Sequence, residues 1–164
     1  QWLVDAGIGC RGHRVKELRM PVKFYEDLSA FKLFLVDCGL LGCMVGASPK
    51  QMLVGNNVFT EFKGAFTEEF VMQQLVAAGL KPYYWSSETT PAEIDFVVEN
   101  EDGAIPIEVK AEENVRAKSM AAYIGSHPDD HLHGLRLSMK GYERQDWMTN
   151  IPLYAITKLL SEKS

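Results

Sequence analysis

Two acidic residues and a lysine fall within one short stretch of this sequence. Asp95 lies in the apolar run 93–98, and Glu108 and Lys110 lie in the run 105–110. Side chains alternate between the two faces of a β-strand, so Glu108 and Lys110 are expected on the same face. If the two runs pair as a hairpin, Asp95 lies beside Glu108. Two carboxylates next to an ammonium group are the chemistry of a divalent-metal site with a charged helper.

A hard cation such as Mg²⁺ takes oxygen ligands and retains several water molecules. The candidate ligands are the carboxylates of Asp95 and Glu108 and the backbone carbonyl of Val109. Lys110 is the candidate helper, since a lysine can orient a water molecule or stabilise charge that develops on a phosphate. Glu68 is expected to add a third carboxylate, because it shares a helical stripe with apolar residues three and seven positions later and should therefore face the sheet.

The same residues also fit an interpretation without catalysis. A strand acid beside a strand lysine is often a surface ion pair of small energetic consequence. Each short motif is common by chance, so the elements around it must decide between the two interpretations.

The hydrophobic patterns predict a helix, three strands, a second helix and two further strands. Helices are predicted over residues 60–80, 116–126 and 157–163, and strands over 83–85, 93–99, 104–110, 134–138 and 153–156. The acids fall at matching points of this αβββαβ order, with the Glu68 helix ahead of them. We therefore expect an α/β fold whose core is a mixed sheet flanked by helices.

Residues 1–57 predict a separate small region. The first residues resemble the last turns of a helix that stops at Gly7. Two strands are predicted at 14–18 and 31–36, and a short helix follows and ends near Gly46. A helix end followed by two strands is typical of the tail of a winged-helix unit. We expect a domain boundary near residue 57 and a second domain over 58–164.

Composition narrows the class of protein. The chain has 164 residues and a formal net charge of −5, which argues against a protein that mainly coats nucleic acid. Its three cysteines show no regular spacing, which favours reduced thiols and a cytoplasmic location. No apolar run reaches the ~20 residues that a membrane helix needs. The chain begins without methionine and within a helix pattern, so we expect the C-terminal part of a longer protein.

A family resemblance joins these features. Glu68 on a helix, then Asp95, then the run Glu108-Val109-Lys110, resembles the PD-(D/E)XK, or restriction-endonuclease-like, nuclease superfamily. The chain also resembles the C-terminal domain, of unknown function, of a large family of bacterial and archaeal AAA-type ATPases. The segments that carry this second resemblance are 25–27 (YED), 31–41 (FKLFLVDCGLL), 64–71 (GAFTEEFV), 83–85 (YYW), 93–96 (EIDF) and 107–110 (IEVK).

The resemblance implies a set of roles. Active members of the superfamily cut DNA or RNA with Mg²⁺, so Glu68, Asp95 and Glu108 would hold Mg²⁺ or Mn²⁺ and Lys110 would assist the attacking water. A proline commonly precedes the first acid of the superfamily motif, whereas Ile94 stands there in this chain.

The resemblance also implies partners. The first is an N-terminal ATPase domain of the same chain, and DNA is a second; an oligomer is possible and a membrane is not expected. The present sequence has no G-x-x-x-x-G-K-[ST] motif, so no ATP site is expected in it. Two functions stay open: a metal-dependent nuclease, and a non-catalytic docking, regulatory or oligomerisation module for the ATPase.

Three other groups of residues allow alternative interpretations. His127, His131 and His133 lie in one acidic segment and are either a zinc site or a polar loop, although their spacing matches no closed zinc pattern. The aromatic strand at 83–85 either stacks on bases or packs within the sheet. In both cases the structural interpretation is favoured. Lys118, Lys140 and Arg144 could contact phosphates, and are otherwise solvated surface charges.

Overall fold

The computed structural model describes residues 2–46, 57–111 and 117–156, with only the backbone for 57–61. Within these residues there are four α-helices: α1 (Trp2–Asp5), α2 (Cys38–Met44), α3 (Asn57–Ala77) and α4 (Lys118–Ser126). There are eight strands: β1 (Gly9–Val15), β2 (Glu26–Leu35), β3 (Tyr83–Ser86), β4 (Glu93–Asn100), β5 (Gly103–Lys110), β6 (Gly134–Ser138), β7 (Glu143–Arg144) and β8 (Met148–Pro152). Short 3₁₀ turns cover Val22–Tyr25, Pro128–Asp130 and Leu153–Ala155.

All eight strands belong to one mixed sheet, in the order β2-β1-β3-β4-β5-β6-β8-β7. The pairs β1–β3, β5–β6 and β6–β8 are parallel, and the remaining neighbours are antiparallel. The expected α/β class with a mixed sheet is therefore confirmed. The domain boundary expected near residue 57 stays a prediction; in the described residues β1 and β2 pair into the same sheet as the later strands.

The hairpin of β4 and β5 forms where the sequence predicts it. Asn100 Oδ1 accepts hydrogen bonds from the backbone N–H groups of Asp102 and Gly103, at 3.0 and 3.1 Å, which closes the turn. Gly103 has a φ of 149°, a conformation that side chains disfavour. In the register of this hairpin Phe96 lies opposite Ile107.

A hydrophobic core covers each face of the sheet. Phe96 and Val98 pack with Val71 and Leu75 of α3, whereas Val97 belongs to a second cluster that includes Met120 of α4. Because consecutive strand residues point to opposite faces, the two clusters lie on opposite sides of the sheet. Helices α3 and α4 thus bury apolar residues against opposite faces of the sheet that carries the candidate site.

In residues 2–46, the helix ends lie where the glycine and aspartate residues of the sequence favour them. α1 is followed by Gly7 at a φ of 70°, which confirms the predicted glycine stop. Asp37 caps α2 by accepting hydrogen bonds from the N–H groups of Gly39 and Leu40 at 2.7 and 3.1 Å. The predicted strand at 14–18 is displaced, since β1 ends at Val15.

The last predicted strand is wrong. Residues 153–156 do not form a strand; β8 covers Met148–Pro152, and Leu153–Ala155 is a 3₁₀ turn. All five residues of β8 are buried between β6 and β7, including Thr149 and Asn150. The two polar residues interrupt the apolar pattern, and for this reason the strand is not visible in the sequence. The predicted helix at 157–163 lies outside the described residues.

The aromatic strand at 83–85 packs within the protein, which is the interpretation that the sequence favours. Tyr83 is 2% exposed and joins the α4-side core, and the Trp85 ring lies 4.8 Å from that of Tyr123 in an edge-on arrangement. No helix of the described residues is both long and apolar enough to cross a membrane.

Gly134 marks a close approach between β6 and α4. A Cβ atom at this position would lie 2.7 Å from Sδ and 2.8 Å from Cε of Met120, a side chain with no exposure to solvent. We expect Gly134→Val to lower the free energy of unfolding by roughly 1–3 kcal/mol, because the buried methionine has little room to move. Urea unfolding measures this. Gly141→Val is the control, since the space around Gly141 is open, and an equal loss in both variants would contradict the explanation.

Candidate active site

A bulge in β4 sets the direction of Asp95. Tyr83 pairs with Val97 while Trp85 pairs with Ile94, so two steps along β3 match three steps along β4. Bulges of this kind redirect a side chain and occur often beside active sites. The redirected Asp95 carboxylate reaches the next strand, where its Oδ2 accepts the backbone N–H of Val109 at 2.7 Å.

Glu108 and Lys110 share one face of β5, as predicted. Lys110 Nζ lies 2.5 Å from Glu108 Oε1. The Glu108 side chain is 7% exposed and that of Lys110 is 32% exposed, so the pair runs from the protein interior towards solvent. The other carboxylate oxygen of Glu108, Oε2, is buried and has no hydrogen-bond partner within the described residues.

Electrostatic coupling ties Asp95 to this pair. Burial raises the pKa of Asp95, against the opposing effects of the Val109 hydrogen bond and the Lys110 charge. Burial, and next the negative charge of Asp95, raise the pKa of Glu108 to about 7. Burial lowers the pKa of Lys110, but the hydrogen bond and charge of Glu108 outweigh it, so that pKa is raised. The hairpin therefore brings Asp95, Glu108 and Lys110 together in one half-buried cluster.

The helix α3 adds Glu68 to the cluster. Burial, and next the charge of Asp95, raise the pKa of Glu68, while Lys32 and Lys110 lower it. The neighbouring Glu69 is more deeply buried, at 4% exposure, and accepts the N–H of Leu35 at 3.2 Å. Both carboxylates thus turn towards the sheet, whereas the helical stripe predicts this for Glu68 alone.

Lys32 and Glu93 belong to the cluster and were not predicted. Lys32 of β2 is hydrogen-bonded to Glu93 Oε1 and lies 3.8 Å from Glu68 Oε2. Its Nζ also lies 5.1 Å from the centre of the Tyr84 ring. Glu93 is coupled electrostatically to both Lys32 and Asp95. The apolar strand 31–36 was visible in the sequence, but nothing in it links Lys32 to residues more than 30 positions away.

A buried polar network braces the neighbouring strands. Arg136 of β6 lies opposite Glu108 in the register of the parallel pair. Arg136 Nε and Ser138 Oγ both donate to Asn150 Oδ1, at 2.8 and 2.7 Å. Asn150 Nδ2 donates to the carbonyls of Lys140 and Gly141, at 3.2 and 2.7 Å. This network holds the loop that follows β6. Because β5 and β6 are parallel, this loop lies at the same end of the sheet as the C-terminal end of β5.

The donor set suits a hard divalent cation. No donor among the described residues lies within hydrogen-bond distance of the buried Oε2 of Glu108, and a cation beside this oxygen would favour the ionised form that burial disfavours. Val109 contacts Asp95 through its N–H, and the predicted role of its carbonyl stays a prediction. Within the described residues, no group of three or more His, Cys, Asp or Glu side chains is already arranged to hold a metal.

The histidine segment forms no such group either. His133 Nε2 lies 2.8 Å from Thr149 Oγ1, and His127 stacks on the ring of Tyr123 at 4.2 Å. His131 and His133 line a cavity of about 210 Å³ at the β4–β5 turn. These contacts support the structural interpretation of the segment.

Together the fold and the site define a mixed α/β domain with a carboxylate–lysine cluster on a central β-hairpin. The sequence profile of DUF4143, a domain of unknown function, matches residues 63–156. This match covers more than half of the 164 residues, and the chain belongs to the DUF4143 family. No curated protein and no solved structure matches the chain significantly. The matched region contains Glu68 and the whole hairpin, while Lys32 precedes it.

The raised pKa of Glu108 predicts a pH-dependent stability. Its folded-state pKa is about 7 against an ordinary value of 4.5, so the protonated form is favoured on folding. This contribution is present in full below pH 4.5 and is lost as the pH rises through 7. Without divalent metal, we expect Glu108→Gln to be more stable than the wild type at pH 8 by up to roughly 3 kcal/mol, because the raised pKa already contains the opposing effect of Lys110.

Urea unfolding in EDTA at pH 4, 6 and 8 measures this difference. Glu101→Gln, in the exposed turn of the same hairpin, is the control and should show no such trend. A constant difference between Glu108→Gln and the wild type across this pH range would contradict the assignment.

Proposed function

We propose that this chain is a metal-dependent phosphodiesterase domain that hydrolyses nucleic acid, with a restriction-endonuclease-like core. The observation that carries the proposal is the convergence of Asp95, Glu108 and Lys110 on the β4–β5 hairpin. The resemblance to the PD-(D/E)XK motif supports the same assignment. The resemblance to AAA-type ATPases supports a further part of the proposal, that an ATPase domain precedes this domain in the same chain.

In this proposal the carboxylates bind the metal and the lysine stabilises the phosphate. Asp95 and Glu108 would hold Mg²⁺ through their carboxylates, with Glu68 as a third acid nearby. When bound, Mg²⁺ supplies Lewis-acid polarisation of a phosphate oxygen and acidifies a coordinated water. Lys110, the more exposed member of its ion pair, turns its ammonium group to the scissile phosphate and stabilises the charge that develops there.

A cleavage assay tests the proposal. Labelled single- and double-stranded DNA and RNA are incubated with the protein and Mg²⁺ or Mn²⁺, and with EDTA. We expect cleavage that needs the metal and that Asp95→Asn abolishes. Asp102→Asn is the matched control, because Asp102 lies on the same hairpin at the exposed turn. Equal cleavage by the wild type and Asp95→Asn would contradict the proposal.

A second candidate is a non-catalytic module that docks, regulates or oligomerises the ATPase. Two observations favour it: the net charge of −5, and the lack of a ready three-residue metal group within the described residues. Calorimetric titration with Mn²⁺ separates the two candidates. If the folded protein binds no Mn²⁺ at millimolar concentration, the module is the better assignment.

A further inference from the structure

Lys32 reaches the acidic cluster from β2, whereas Lys110 lies on β5. It is the only described lysine in contact with both Glu68 and Glu93. Burial lowers the pKa of Lys32, but the hydrogen bond to Glu93 and the charge of Glu68 outweigh it, so that pKa is raised. The ammonium group is therefore charged at neutral pH, and its side chain is 25% exposed.

The strand register places Lys32 on the α3 side of the sheet. Its partner on β1 is Gly12, which has no side chain. A Cβ atom at Gly12 would point towards Phe34 and Met72, at 3.7 and 3.8 Å, which is the α3 side of the sheet. Lys32 lies on this same face, because residues opposite each other in a register share a face. Lys32 extends across β1, so that its Nζ lies 5.1 Å from the centre of the Tyr84 ring and is hydrogen-bonded to Glu93.

We propose that Lys32 is a resident cation that neutralises Glu68 and Glu93, so that the site takes one divalent ion, bound by Asp95 and Glu108. This inference rests on the metal site of the proposed function. It assigns Glu68 a role that differs from the one the motif implies: Glu68 pairs with Lys32 and is not a ligand of the ion.

Charge balance supports a single ion. The described part of the cluster contains four carboxylates, on Glu68, Glu93, Asp95 and Glu108, and two ammonium groups, on Lys32 and Lys110. The two negative charges that remain are balanced by one divalent ion. A second ion bound by Glu68 and Glu93 would lie beside the Lys32 ammonium group, which is hydrogen-bonded to Glu93 and 3.8 Å from Glu68. The repulsion between this ion and the ammonium group is large, because charges in a half-buried site are poorly screened.

Mn²⁺ stoichiometry tests the inference without any need for activity. Bound Mn²⁺ is counted by calorimetry and by the electron paramagnetic resonance signal of the free ion. We expect one ion per chain in the wild type and two in Lys32→Met, because Glu68 and Glu93 are then free to bind. Lys32→Arg keeps the charge and should bind one ion. Lys81→Met is the matched control, since Lys81 also pairs with a glutamate and lies 4.8 Å from a tyrosine ring.

Two further variants keep the test decisive. Adding Glu93→Gln to Lys32→Met removes the spare acid and should restore a single ion. Should Lys32→Met not fold, as judged by circular dichroism, Glu68→Gln in the wild-type background serves instead. It should leave Mn²⁺ affinity within about twofold, whereas loss of a ligand would weaken binding by about tenfold or more.

The possible outcomes separate this inference from the proposed function. Two ions in the wild type, or one ion in folded Lys32→Met, would overturn the role of Lys32 and leave the metal site in place. A tenfold loss of affinity in Glu68→Gln would do the same. A wild type that binds no Mn²⁺ would overturn both the inference and the metal site on which it rests.

Discussion

Lys110→Met is expected to lower the rate of nucleic-acid cleavage by about 10²–10³-fold while Mn²⁺ affinity stays equal or rises. Under the proposed function the rate would fall because Lys110 supplies the ammonium group that stabilises the phosphate in the transition state. The affinity does not fall, because Glu108 Oε1 loses the lysine 2.5 Å away that competes with the ion for it. Single-turnover cleavage rates and Mn²⁺ titration of the same samples measure the two quantities.

A fall in cleavage rate without a fall in Mn²⁺ affinity would distinguish a catalytic role of Lys110 from a purely structural one. A purely structural ion pair would lose folding stability on substitution, and cleavage and metal binding would decline together. Lys81→Met, away from the cluster, should change neither quantity. Parallel declines in Lys110→Met would therefore contradict a catalytic role for Lys110.

Phe96→Ala is expected to lower the free energy of unfolding by about 3–5 kcal/mol. Phe96 is 1% exposed, and its ring centre lies 5.6 Å from that of Phe34 in the core that α3 covers. The loss combines the removed apolar contact with the cavity that the packed surroundings cannot close. Urea unfolding monitored by circular dichroism measures the change.

Phe24→Ala is the control of identical chemistry. Phe24 is 81% exposed, and its removal should change stability by no more than about 0.5 kcal/mol. A loss below about 1 kcal/mol in Phe96→Ala would mean that this core is loosely packed.

Local periodicity is sufficient to predict the hairpin and its lysine. Glu108 and Lys110 are two residues apart on a strand, and this spacing alone places them on one face, as their ion pair confirms. The turn residues Asn100 and Gly103 are equally local signals. The α/β class follows in the same way from the order of helices and strands.

The contacts of Lys32 could not be predicted from these signals. Its ion pair with Glu93 joins residues 61 positions apart, and it depends on which strands are neighbours in the sheet. The bulge at Asp95 is also invisible, because it is defined by the register against β3. Strand β8 was missed for a different reason: its buried Thr149 and Asn150 are satisfied by hydrogen bonds that no hydropathy pattern records.

The position of Lys32 on β2 affects which fragments of the chain could contain the complete cluster. The DUF4143 match begins at residue 63, yet the parallel partner of β3 is β1, and Phe34 of β2 lies in the core that α3 covers. A fragment cut at the family boundary would leave one edge of β3 unpaired, open that core, and lose one of the two lysines of the cluster. We therefore expect a fragment that folds on its own to include β1 and β2, and a shortened protein for crystallisation or assay should retain both strands.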